Sequence, residues 1–173
     1  GLRTRFRQSV LAAACSGQLT EEWRAKSIAQ ANGEVMSEEL PDSWDLRKTD
    51  DVCSDIADCP HSTPKWTESG EICLRTTNFR VGYLDLDEVR YVSETTFAQR
   101  IARLTPKAND IVYSREGGIL VIACTIPEGL KTCLGQRMML LRARDSILPS
   151  FLLNVLNIPQ TDDVVKESTG DQA

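Results

Sequence analysis

Ile72-Cys-Leu-Arg-Thr-Thr-Asn-Phe-Arg-Val-Gly-Tyr-Leu-Asp-Leu-Asp-Glu-Val-Arg-Tyr-Val92 is the stretch that decides the fold class. Its apolar residues fall in short runs, Ile72–Leu74, Val81–Leu86 and Val89–Val92, divided by Asn, Arg, Gly and Asp. Runs this short suit strands joined by turns better than helices. The pattern continues at Ile111–Tyr113, Ile119–Ile126 and Met138–Leu141. Between the runs, Ser93 is placed to cap a helix whose Phe97, Ile101 and Leu104 share a face, and Pro149 can open another over Phe151–Leu156. Strands and helices mixed in this way predict an α+β domain with a twisted mixed β-sheet and short helices.

Upstream the period changes. Leu2, Phe6, Val10 and Ala13/Ala14 recur at helical spacing with Arg3, Arg5, Arg7 and Gln8 between them, so residues 2–15 read as an amphipathic helix that Gly17 stops. Thr20 can cap a second short helix through Trp23 to about Ala31, with Glu21 and Glu22 favourable at its positive end, before Asn32-Gly33 breaks the chain. A single apolar stripe so far from the core is marginal by itself and implies a partner helix. The expected organisation is a helical segment over 1–31, an acidic linker over 32–43, the α+β domain over 44–159 and a polar, poorly ordered tail over 160–173.

With 173 residues, 41% of them apolar, the chain suits one core plus appendages. No apolar run approaches the roughly 18 residues a membrane-spanning helix needs, and the first residues lack a secretory pattern, so a soluble, cytoplasmic protein is expected. The six cysteines are scattered through a chain large enough to fold without staples, which favours reduced thiols. Cys73 and Cys124 lie inside apolar runs, where a thiol acts as a small hydrophobe. The net charge of −5 argues against nucleic acid as a partner, but its distribution is uneven. Nine acids face two bases between Glu34 and Asp58, whereas eight bases face four acids between Thr95 and Asp145. From charge alone, both blocks read first as solvated surface.

Arg7-Gln-Ser-Val-Leu-Ala-Ala-Ala-Cys-Ser-Gly-Gln-Leu-Thr-Glu-Glu-Trp-Arg24 resembles the end of the long spacer helix in the specificity subunits of type I restriction-modification systems. The resemblance runs on, in order, through Asp58-Cys-Pro-His-Ser-Thr-Pro64, Leu74-Arg-Thr-Thr-Asn78 with Gly82, Tyr91-Val-Ser93, Asn109-Asp-Ile-Val-Tyr-Ser-Arg-Glu-Gly117, Leu134-Gly-Gln-Arg-Met138 and Pro149-Ser-Phe-Leu-Leu153, covering roughly residues 7–157. It implies a spacer-helix end over 1–31 and a DNA target-recognition domain over 44–159, the second of two that such subunits carry, and hence a truncated chain. One departure stands out: the family's glycine before Asp-Ile is Asn109 here, a residue that tolerates positive φ better than other side chains.

Base edges are read by paired donors and acceptors, Arg or Lys for guanine, Asn or Gln for adenine, Ser or Thr for either. Such residues crowd two loops. His61, Ser62, Thr63 and Lys65 lie on a proline-stiffened turn, and Arg75, Thr76, Thr77, Asn78 and Arg80 follow the first strand. Under the resemblance these are the candidate DNA contacts; without it they are ordinary polar turns anchored by Trp66 and Phe79. Arg115, before Glu116-Gly-Gly118, can reach DNA or pair internally with Glu116 or Asp110. Gln136 and Arg137 can read bases, with Arg137 alternatively buried and holding loop carbonyls. Arg3, Arg5 and Arg7 read as a solvated face or as contacts to a methylase subunit.

Cys53, Cys59 and His61 lack the second close pair of a structural zinc site, and a Cys59–His61 nucleophilic dyad has no supporting signature, so no metal, cofactor or catalytic residue is expected. The resemblance implies a non-catalytic subunit that reads one half-site of a bipartite target on double-stranded DNA and directs a methylase (modification) subunit and a restriction (helicase-nuclease) subunit. The alternative is a vestigial or regulatory protein that keeps the helix-mediated interaction and no longer reads DNA.

Overall fold

The computed structural model describes residues 2–23, 41, 44–45, 47–115 and 122–158. Helix α1 (Leu2–Cys15) ends where Gly17 adopts φ 83°, and a 3₁₀ turn, Gln18–Thr20, comes after it. Helical residues 21–23 follow Thr20, whose hydroxyl donates back to Gly17 O at 3.2 Å. Phe6 is 70% and Val10 40% exposed, so the apolar stripe of α1 is largely uncovered among the described residues. The greater part of the expected second helix, nearly all of the linker, the Glu116–Gly118 turn and the tail lie outside the described residues.

Further along the chain come the short helix α2 (Thr49–Val52) and strands β1 (Cys53–Asp58), β2 (Trp66–Thr67), β3 (Glu71–Leu74), β4 (Phe79–Arg80), β5 (Tyr83–Leu84) and β6 (Arg90–Val92). Helix α3 (Glu94–Arg100) comes next, then β7 (Ile111–Ser114), β8 (Ala123–Thr125), β9 (Thr132–Leu134), β10 (Met138–Ala143) and α4 (Pro149–Leu156). Ser93 caps α3, accepting from Thr96 N at 3.2 Å, and Pro149 occupies the first turn of α4. The mixed sheet is found, in the order β2-β6-β3-β9, with β3 and β9 parallel and the other pairs antiparallel. A second, antiparallel sheet runs β1-β10-β7-β8.

Side-chain alternation explains the stacking. On β7 and β10, Val112, Met138 and Leu140 face a core shared with Leu74, Phe79 and Leu134, while Ile111 and Leu141 face Leu152 of α4. On β3, Leu74 joins the shared core, and Cys73 turns the other way, with Val92 and Cys133, toward Phe97 of α3. The two sheets are thus packed face to face with a helix outside each. Trp44 meets Phe151 edge-on at 6.0 Å, tying the chain before α2 to α4.

Two expectations change. The run Val81–Leu86 is not one strand but part of the β4–β5 hairpin, turned at Val81-Gly82, where the Gly82 N–H donates to Ala123 O at 3.0 Å. Leu104 lies beyond α3, because the helix closes at Arg100, yet it still packs on the shared core. The strand β1 has no apolar run to announce it: as an edge strand it leaves Ser54 and Asp55 exposed, so two polar positions cost nothing. Behind the sheet, Arg142 grips buried Asp110 through two bonds of 2.8 Å, and that carboxylate's hydrogen bonds and charge hold the Arg142 guanidinium above its usual range.

All six cysteines are free thiols, and burial pushes that of Cys124 up to about 12. Asn109 takes φ 68°, and its N–H donates to Ile126 O at 3.0 Å, so the turn is made with asparagine in the left-handed region. Asn109→Gly should therefore leave stability unchanged or slightly raised, whereas Asn109→Val should cost about 1–2 kcal/mol in a denaturant titration, because a β-branched residue resists that backbone.

Candidate nucleic-acid interface

Three chain segments meet at one end of the antiparallel sheet. The end of β1 faces the start of β10 (Asp58 opposite Met139), and the start of β10 faces the end of β7 (Met138 opposite Ser114). The loop 59–65, the turn 135–137 and residue 115 therefore emerge side by side. Cys59 N donates to Met138 O at 3.1 Å, and Arg115 N to Arg137 O at 3.1 Å. Thr63 Oγ1 reaches Gln136 Oε1 at 3.3 Å, linking the first loop to the second.

Beneath them lies Arg100, only 9% exposed. Its Nη1 donates to Leu134 O and Gly135 O, both at 2.9 Å, and its Nη2 to Ser62 O at 2.5 Å. A planar fork of donors is suited to such diverging carbonyls, and an ammonium is not. The alternative foreseen for Arg137 thus belongs to Arg100, while Arg137 itself is exposed, with φ 66°. Gly135 must be glycine here, since a Cβ would sit 2.5 Å from Leu74 O.

Asp58 stands among the bases. Its Oδ2 accepts from His61 Nε2 at 2.8 Å and from Arg115 Nη1 at 2.9 Å, and its carbonyl accepts from Arg103 Nη1 at 3.4 Å. Arg115 therefore pairs with an acid 57 positions away, not with Asp110, which is committed to Arg142. Lys65 and Arg137 are exposed beside this group and make no ion pair among the described residues.

The second candidate loop is organised differently. It springs from Leu74, whose carbonyl accepts from Gly135 N at 2.8 Å, so its root adjoins the turn 135–137. Asn78, expected at the surface, is 3% exposed: its Oδ1 accepts from Arg75 N at 2.9 Å, and its Nδ2 donates to Asp85 O and Glu88 O at 3.0 Å each. Presenting that amide to a base would break all three bonds, so Asn78 shapes the loop and does not face outward. Arg75 donates to Glu88 O at 3.2 Å and has a buried Nε without a partner. Arg80 is held by Asp85 at 2.8 Å and by the Thr77 and Phe79 carbonyls. Thr77 is exposed and Thr76 half-buried. Trp66 and Phe79 do anchor their loops, Phe79 fully buried and Trp66 packed beneath α3 under Arg90.

Sequence reading missed Arg100, Arg103 and Asp58. Arg100 was accessible in principle, since Phe97, Arg100 and Ile101 fall at i, i+3 and i+4 on the face of α3 that meets the sheet. Asp58 and Arg103 carry no such signal, because their company is set by strand pairing across long separations. Cys59 is buried and accepts from Met138 N at 3.2 Å, and burial pushes its thiol up despite that bond. His61 is turned to Asp58. No group of three or more metal-ligating side chains occurs among the described residues, and no helix in them is long and apolar enough to cross a membrane.

No protein-family model matches the chain, and no curated protein matches it. Among solved structures it is similar to the HsdS subunit from Thermoanaerobacter tengcongensis, with TM-score 0.51 and 20% identity, over 99% of this chain and 39% of that one. A structure described for the complex assembly and conformational transition of the type I R-M system gives TM-score 0.49 and 19% identity, over 92% of this chain and 38% of that one. The fold of the chain thus resembles that of part of the HsdS subunit from Thermoanaerobacter tengcongensis. The chain spans about two fifths of the length of either protein.

Two outcomes are expected. Arg100→Met should lower stability by about 2–4 kcal/mol in chemical denaturation, by stranding buried carbonyls, and Arg100→Lys should restore only part of it. Native Cys59 should resist iodoacetamide near neutral pH and be alkylated once the chain is denatured, as mass mapping would show.

Proposed function

We propose that this chain carries a DNA target-recognition domain of a type I restriction-modification specificity subunit, reading one half-site of a bipartite target. The single observation that carries this is the gathering of His61, Lys65, Arg115, Gln136 and Arg137 on adjoining segments, two of them fixed from below by Arg100, with Arg103 reaching the Asp58 carbonyl beside them. Those groups supply cations for phosphates and forked or amide donors for base edges, on a frame rigid enough to set register. A net charge of −5 is no obstacle to this reading, since affinity depends on the local and not the total charge. Arg137 in the left-handed region also fits, because a costly backbone state at an exposed tip is the kind of strain that functional loops retain.

On this reading the interface comprises His61, Ser62, Thr63, Lys65, Arg115, Gln136 and Arg137, with Arg103 added and with Thr76, Thr77 and Arg80 at its margin. Asn78 and Arg75 act in shaping the second loop. Chemistry belongs to a methylase subunit and a restriction subunit. Residues Phe6, Val10, Leu19 and Trp23, all exposed, supply an apolar surface for helix-mediated assembly. That surface is equally what the vestigial interaction protein would keep, so DNA binding is what separates the two readings.

Co-expressed with the methylase subunit of the same operon, the chain should give base-specific protection in a footprint; protection without sequence preference, or none, overturns the reading. Lys65→Ala should weaken binding to all duplexes and reduce the salt slope by about one, whereas Arg137→Ala should cost about 1–3 kcal/mol on the preferred sequence and relax one base position.

A further inference from the structure

A carboxylate at the centre of a surface that faces a polyanion is a cost. Asp58 sits there with its side chain 26% exposed, between His61 and Arg115. Non-specific affinity for a duplex comes from cations displacing counterions along the phosphates, and an acid in their midst opposes it. Structural need alone explains only half of this side chain. Both of its hydrogen bonds fall on Oδ2, while Oδ1 accepts none among the described residues. An ionised carboxylate oxygen has acceptor capacity and no donor to offer, so it meets few partners on DNA. Phosphate oxygens, guanine O6 and N7 and thymine O4 repel it; the exocyclic amino groups, cytosine N4 and adenine N6, are the donors in the major groove.

The geometry points to Asp58 as a specificity-determining residue: its open oxygen is an acceptor for the exocyclic amino group of a cytosine or adenine, held in place by Arg115 and His61 on the other oxygen. The inference rests on the DNA-recognition reading above and names one chemical requirement of the target. The clamp matters because it works on both sides. Arg115 and His61 fix the carboxylate plane at the end of β1, and the Arg115 guanidinium offsets its charge so that it can approach the duplex. Arg103, on the Asp58 carbonyl, fixes the backbone from which the side chain projects. A wrong base at that position brings an acceptor against an acceptor, and that repulsion gives discrimination as well as the lost bond.

The test uses the chain co-expressed with its methylase subunit and duplexes selected from a randomised pool, comparing wild type with Asp58→Asn and Asp58→Ala. In the wild-type profile one position should demand a cytosine or an adenine, and the base found distinguishes N4 from N6. For Asp58→Ala the preference at that single position should fall roughly tenfold, with the remaining positions unchanged, while affinity for mixed-sequence duplex rises; Asp58→Asn, whose amide reads adenine, should shift a cytosine requirement toward adenine. A uniform loss across all positions would mean that Asp58 only orders Arg115 and His61, and it overturns the inference. So does a profile identical to wild type. A wild-type complex that selects no sequence overturns the recognition reading itself, whereas a selective wild type with an indifferent Asp58 overturns only this inference. Thermal midpoints of the variants identify any unfolding, and Asp58→Glu, which keeps the charge and extends the reach, should retain the preference at that position more than Asp58→Ala does.

Discussion

A buried guanidinium holding three main-chain carbonyls is the constraint on which the candidate interface depends. Arg100 leaves the last turn of α3, passes between the sheet and the loops, and satisfies Ser62, Leu134 and Gly135 at once. Loops are usually the least ordered part of a domain, since their carbonyls turn to water. Here the carbonyls turn inward to a cation, and the opposite side of each loop is left to face outward. The same contact joins the mixed sheet, through Leu134, to the loop that leaves the antiparallel sheet, so one side chain ties the two sheets together at this end.

The charge pattern is a consequence of that arrangement. Arg103 and Arg115 come from different elements and converge on Asp58, and His61 arrives from the loop beside it. Each contact alone is modest, because partly exposed ion pairs contribute little. Together they place several cations within one small area of an acidic protein. Elsewhere the arginines are spent on internal tasks: Arg142 on Asp110, Arg80 on Asp85, and Arg75 on Glu88 O. What distinguishes the end of the sheet is that Lys65 and Arg137 remain exposed beside the cluster.

Much of the local structure was legible in the residues. Ser93 and Pro149 start their helices, Gly17 ends α1, and Asn109 carries the left-handed turn, each because capping and φ preferences act over a few residues. The strand β1 was not legible, since an edge strand can alternate with Ser and Asp. The hairpin at Val81-Gly82 was hidden for a related reason: an apolar run does not say where it bends. Of the two candidate loops, the first holds the exposed polar groups and the second is largely self-bonded through Asn78, a difference no composition reveals.

By itself the sequence determined the class of the domain, where α3 and α4 begin and where α1 ends, the free state expected of its thiols, and an ordered set of segments resembling a specificity subunit. These are properties of neighbours along the chain, where propensity, capping and turn chemistry act. Only the tertiary structure decided that Asp58 meets Arg115, that Arg100 and not Arg137 secures the loops, and that Asn78 faces inward. Such pairings span tens of residues, and they depend on strand register, where a shift of one position turns each side chain to the opposite face.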